Sequence, residues 1–135
     1  MIKFTIPGKP RALQRHRIAK NGRMYDPSYK DKKQIMLQIA KYKPKDVLTG
    51  AICLSIRFTM PRPKSHYRTG KFKHLLKDNV PMKHTKKPDL DNLTKMIADI
   101  LQPDFYKDDS QICELYAEKI YGERPNTAVI IQEVP

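Results

Sequence analysis

The sequence predicts an α+β domain of about four strands in one sheet, packed with two to four helices. Three observations carry this. Strand-like stretches recur at residues 1–6, 47–60, 112–121 and 127–134. Two helix-period stretches lie near 29–41 and 89–102. The 135 residues, 39% of them hydrophobic, suffice for one core, so residues 1–135 read as a single domain. Prolines (11) outnumber glycines (5), which points to stiff connections between apolar segments rather than to disorder.

Residues 1–6 form the first strand. Residues 7–27 follow as a long basic loop with Lys9, Arg11, Arg15, His16, Arg17, Lys20 and Arg23, turned at Gly8 and Gly22. A loop this long is either functional or merely exposed, and it is a candidate substrate arm. Asp26 or Ser28 can cap a helix from Tyr29 to about Lys41, with Ile35, Met36, Ile39 and Ala40 as its apolar stripe and Pro44 as its stop. Between Val47 and Met60, Ile52, Leu54, Ile56 and Phe58 point one way and Cys53, Ser55, Arg57 and Thr59 the other. Residues 61–87 are basic and poor in apolar groups, with a short helical turn expected around Phe72–Leu76. Tyr67 and Phe72 have two readings there, stacking on exposed bases or pinning the segment to the core. Asp89 or Asp91 starts a helix that ends before Pro103 and buries Leu93, Met96, Ile97, Ile100 and Leu101. Two last strands, Ile112–Tyr121 and Thr127–Val134, are expected to form an antiparallel hairpin through residues 122–126. There is no internal repeat and no glycine-rich phosphate loop.

Charge narrows the function. Lys and Arg number 27 against 14 Asp and Glu, a net charge of +13. Such a chain repels itself, and a polyanion relieves that cost, so DNA or RNA is the expected partner. No long basic amphipathic helix suggests a membrane surface. No apolar run approaches the length of a membrane span, and the opening Met1-Ile2-Lys3-Phe4 lacks a signal-peptide pattern. A cytoplasmic, nucleoid-associated location follows as an expectation. Cys53 and Cys113 are 60 positions apart and read as buried free thiols. His16, His66, His74 and His84 do not share zinc-ligand spacing with them.

Against this basic background, Asp89, Asp91, Asp99, Asp104, Asp108 and Asp109 crowd into 21 positions. Helix chemistry explains some of them, since aspartates favour helix N-termini and Asp91 can pair with Lys95 four residues on. It does not explain Asp108-Asp109 before a strand. The chemical reading is a metal site. If that strand begins beside the start of the helix, Asp109 joins Asp89 and Asp91 in a hard oxygen cluster suited to Mg²⁺, with Mn²⁺ able to substitute. Lys95, one turn after Asp91, can then reach the scissile phosphate or help orient the attacking water. Arg11, Arg15, Arg17, Lys71, Lys73 and Lys77 are the candidate DNA contacts. Other readings stay open: a nuclease for other branched, single-stranded or duplex DNA, a non-catalytic nucleic-acid-binding protein, or a metal-free ribonuclease using His66, His74 or His84.

The run Lys87-Pro88-Asp89-Leu90-Asp91-Asn92-Leu93-Thr94-Lys95, followed by Asp99 and then Tyr106-Lys107-Asp108-Asp109-Ser110-Gln111-Ile112, resembles the RusA family of Holliday junction resolvases. Two blocks in this order and at this separation are far more specific than a lone Asp-x-Asp. The resemblance implies a mixed sheet with helices and a small homodimeric, Mg²⁺-dependent endonuclease of DNA recombination and repair, often prophage-encoded, that nicks four-way junctions in pairs. It implies that Asp89, Asp91 and Asp109 are the essential carboxylates and Lys95 the essential lysine. Asp108 is the accompanying acidic residue and a further metal-ligand candidate, and Asn92 and Gln111 support the site. Members often carry glycine in the turn after the helix, where this chain has Gln102-Pro103-Asp104. A C2 dimer suits a two-fold symmetric junction, because it offers two matched sites.

Overall fold

A computed structural model describes residues 1–135. Its order is β1 (Ile2–Pro7), β2 (Arg17–Ile18), β3 (Met24–Tyr25), α1 (Tyr29–Ile39), β4 (Ala51–Pro61), α2 (Leu90–Ile100), β5 (Ile112–Gly122) and β6 (Asn126–Val134), with short 3-10 turns at 40–42, 64–66, 70–72 and 109–111. The four long strands form one mixed sheet in the order β1-β6-β4-β5. β4 pairs antiparallel with β6 and parallel with β5, and β1 closes the far edge against β6.

The sequence of β4 explains its central place. Ile52, Leu54, Ile56, Phe58 and Met60 are all buried, and the core joins them to Ile35 and Ile39 of α1 and to Leu93, Met96, Ile97 and Ile100 of α2. A strand this apolar is best hidden with both edges paired. That preference overturns the expected β5–β6 hairpin. β4 lies between those two strands, and residues 123–125 carry the chain across its end. The crossing is tight at Gly122, where any Cβ would collide with Thr59 Cγ2. Parallel pairing of β4 with β5 in turn requires a long crossover, and residues 62–111, α2 included, supply it.

Three local expectations change. The basic loop 7–27 is not structureless, since β2 and β3 pair within it as a small ribbon. The turn expected at Phe72–Leu76 sits at Gly70–Phe72, because Leu75 and Leu76 are used to pair back on Arg68 and Tyr67. Cys53 and Cys113 are free, but neither is buried: Cys53 is half-buried, and Cys113 is exposed because a register shift leaves it as the unpaired extra residue of β5. No helix is long and apolar enough to cross a membrane.

Candidate active site and nucleic-acid interface

The start of α2 presents Asp89 and Asp91. Asp89 is the N-cap residue, in an extended conformation, and its side chain makes no capping bond. Its carboxylate is therefore left over for another use. Asp91 accepts only from the neighbouring Asn92 N–H, at 2.9 Å. Both residues are exposed, and so is Lys95. The Asp91–Lys95 ion pair that helix spacing allows is not formed. The chain entering the helix is held from β5, where Lys119 Nζ donates to the carbonyls of Lys86 (2.6 Å) and Pro88 (2.7 Å). Just upstream, His84 N–H donates to Lys119 O, and Tyr121 N–H to Met82 O, so residues 82–84 line the last part of β5's outer edge.

The other end of α2 holds Asp108 and Asp109. Asp108 caps the short turn before β5. Its carboxylate accepts from Ser110 N–H at 3.0 Å, and its own N–H donates to Gln111 Oε1; the Ser110 side chain, and then the Ser110 backbone N–H, hold its pKa below the ordinary value. Gln111 Nε2 donates in turn to the carbonyls of Leu48 and Gly50, so Gln111 is a brace for the turn. Asp109 N–H donates to Gln102 Oε1 at 3.1 Å, and Asp109 is exposed. Tyr106 is buried beneath this end and donates to Ala98 O at 2.7 Å, with burial pushing its pKa well up.

These bonds place the two halves of the acidic island at opposite ends of the helix. α2 has 11 residues, about 16 Å at 1.5 Å per residue. Asp109 is tied to Gln102 beyond its far end, and no group of three His, Cys, Asp or Glu side chains gathers closely enough to hold a metal ion. The expectation that β5 begins beside the start of the helix is thus not met within one chain. In a parallel β4–α2–β5 unit the helix runs back against the strands, so β5 begins beside the helix end.

Among the six aspartates, three have structural partners. Asp99 faces Lys32 at 3.8 Å, Asp104 pairs with Lys43 at 2.9 Å, and Asp108 is spent on its cap. Asp89, Asp91 and Asp109 have no cation beside them, although 27 Lys and Arg are present.

The DNA-contact candidates divide as well. Arg11 is engaged, because Nη1 donates to Asp31 Oδ1 and Gln34 Oε1, both at 2.8 Å. It anchors the basic arm to α1 and is not a free contact. Arg15 and Arg17 are exposed on the arm, and Lys71, Lys73 and Lys77 on the loop after β4. Phe72 is 48% exposed with Lys71 over its ring, while Tyr67 is half-buried. Sequence reasoning missed Lys119 and Gln102. A lysine in a strand gives no signal of its role, but Gln102 stands where glycine is common among the chains this sequence resembles, and that departure marked it. A partly buried cluster near Lys119 was also missed. His66 and His84 pack on Tyr121, and Arg62 lies over its ring.

Comparison with known proteins identifies the family. The profile of the family described as endodeoxyribonuclease RusA matches residues 7–132. A protein of Bacillus subtilis (strain 168), described as uncharacterized protein YqaN, is 35% identical over 138 residues, which cover 98% of this chain and 96% of that one.

Proposed function

From its membership of the RusA endodeoxyribonuclease family, to which this chain belongs, we propose that the protein resolves four-way DNA junctions as a Mg²⁺-dependent homodimer. Each site is shared: Asp89 and Asp91 come from one protomer and Asp109 from its partner. The carrying observation is that these three carboxylates alone in the acidic stretch neither pair with a cation nor cap a helix or turn, yet lie at opposite ends of α2.

The edge of β5 supports a shared site. Residues 82–84 occupy that edge only near Lys119–Tyr121. The earlier part is open, since β5 is the last strand of the sheet and no strand lies beyond it. Such an edge is a template for another strand. Antiparallel pairing of two β5 strands about an axis near Glu114 carries the partner's Asp109 toward the Lys119 end of the strand, where Lys119 already holds the carbonyl next to Asp89.

Carboxylate oxygens are the donors Mg²⁺ prefers, and Mn²⁺ tolerates them too. When bound, the ion lowers the pKa of a water and neutralises charge on the scissile phosphate. The chain's own groups do the rest. Lys119 fixes the approach to Asp89, Gln102 and the Asp108–Gln111 brace fix Asp109, and Asn92 ties the basic arm to the first turn of α2. Lys95, free of any carboxylate, binds the scissile phosphate or orients the attacking water. Asp108 caps its turn through Oδ2 and keeps Oδ1 beside Asp109 as an additional ligand.

The test is cleavage of a synthetic four-way junction with and without Mg²⁺. Cutting is expected only with the ion, and not by Asp91→Asn or Asp109→Asn, which still bind the junction. Mg²⁺-dependent cutting by both purified variants would overturn the assignment. Equal competition by linear duplex at about 150 mM salt would keep the nuclease and remove the junction preference.

A further inference from the structure

The basic arm between β1 and α1 ends in a feature that phosphodiester hydrolysis leaves unused. In the β2–β3 ribbon, Ile18 lies opposite Met24 and Arg17 opposite Tyr25. Opposite residues of an antiparallel pair project from the same face, so Ile18 and Met24 form one apolar unit. That unit faces water, with Ile18 70% and Met24 69% exposed. Neither belongs to the core. The turn is well made all the same. Ala19 N–H donates to Arg23 O, Gly22 N–H donates to Ala19 O, and Gly22 takes the left-handed φ of +82° that the turn needs.

Charge selects what covers this unit. Residues 7–25 contain no Asp or Glu, and Arg15, Arg17, Lys20 and Arg23 stand exposed around it. None of the four takes part in an ion pair. An apolar tip inside a cationic collar suits an occupant with an apolar centre and a polyanionic rim, which is an opened DNA base step. The base of the arm is fixed beside the acidic site. Leu13 N–H donates to Asn92 O, next to Asp91, and Gln14 N–H to the buried Ser28 Oγ. The five residue steps from Leu13 to Ile18 reach at most about 18 Å, so the tip works within a few base pairs of Asp91.

We propose that the ribbon is a wedge. Ile18 and Met24 enter between bases beside the phosphate to be cut, the four cations hold the flanking phosphates, and this insertion sets the preference for branch points. Apolar wedges unstack the bases they separate, and that cost is lower where a branch has already broken the stacking. Linear duplex bears the full cost, so the wedge converts a difference in stacking into a difference in affinity. The address of the wedge rests on the endonuclease reading, but its action can be read without cleavage.

The experiment uses the full-length protein, EDTA to prevent cutting, and a four-way junction carrying 2-aminopurine at the branch. Binding of wild type is expected to raise the fluorescence as the base unstacks. The Ile18→Ser/Met24→Ser protein should still bind, keep its salt dependence, give no rise, and lose about tenfold or more of its junction-over-duplex preference. Ile18→Leu/Met24→Leu should keep both properties. A full fluorescence rise and full preference in the serine variant would overturn the proposal. So would loss of the dimer in that variant by sedimentation, which would make the pair a subunit contact. A wild type that unstacks the branch but never cuts with Mg²⁺ would uphold the wedge and overturn the catalytic reading instead.

Discussion

Two kinds of mixed dimer give opposite results if the site is shared between protomers. In the first, one chain carries Asp91→Asn and the other Asp109→Asn. One site then loses both contributions, while the other combines an intact Asp89–Asp91 pair with an intact partner's Asp109. Nicking should return to about half of wild type, although each parent homodimer is inactive. In the second, one chain carries both substitutions and the other none. Each site now lacks one contribution, and nicking should be absent. A site built within one chain predicts the reverse, silence from the first dimer and half activity from the second. The premise is the roughly 16 Å of α2 between the two half-sites, too far for carboxylates on a common ion, whose bonds are about 2 Å long. The chains would be co-expressed with different tags, purified through both, and assayed on a supercoiled plasmid that extrudes a cruciform. A single working site yields nicked circles and almost no linear product, since linearisation needs two matched cuts. Half activity from the doubly substituted pairing, with an inactive cross-pairing, would refute the shared site.

Four further outcomes are expected. Lys95→Ala should slow cutting under saturating protein by roughly 10²-fold while barely changing junction affinity, because Lys95 is one of 27 positive side chains but stands one turn from Asp91; wild-type cutting would return it to an ordinary surface role. Junction affinity should fall by roughly 10³–10⁵ between 50 and 200 mM salt if about six to ten phosphates are contacted, and a flat titration would contradict the polyanion reading. His84 should make the fold less stable as pH falls from 7 to 5. Burial, and then the charge of Lys119, lower its pKa from 6.5, so the unfolded chain takes up a proton that the folded chain resists. The wild-type melting temperature should drop more over that range than that of His84→Gln, and equal drops would remove the assignment; the lowered carboxylates Asp26, Asp108 and Glu118 lose their contribution only at more acid pH. Finally, Leu93→Ala, at a fully buried position, should cost about 2–5 kcal/mol in chemical denaturation, and a loss below 1 kcal/mol would argue against the packing of α2.

Local pattern was enough to read the elements from sequence. The alternation of Ile52, Leu54, Ile56 and Phe58 marks a strand, and the 3.6 period of Leu93, Met96, Ile97 and Ile100 marks a helix, because each pattern is the face that the core covers. The surplus of aspartate between 89 and 109 was equally legible, since like charges crowd in sequence only where something uses them. Non-local competition decided the rest. Residues 122–126 look like a hairpin turn, yet β4 takes the place between β5 and β6 because burying the most apolar strand outweighs the local convenience of a short turn. That choice makes β5 parallel to β4, runs α2 back along the sheet, and sends Asp109 to the helix end opposite Asp89. Arg11 and Asp108 counted alike with their neighbours in the sequence, and only the fold shows that one is held by Asp31 and the other by Ser110. Sequence spacing fixes what a residue is and which element carries it, but the ends of a helix that face one another across a sheet are set by strand order, which no local pattern encodes.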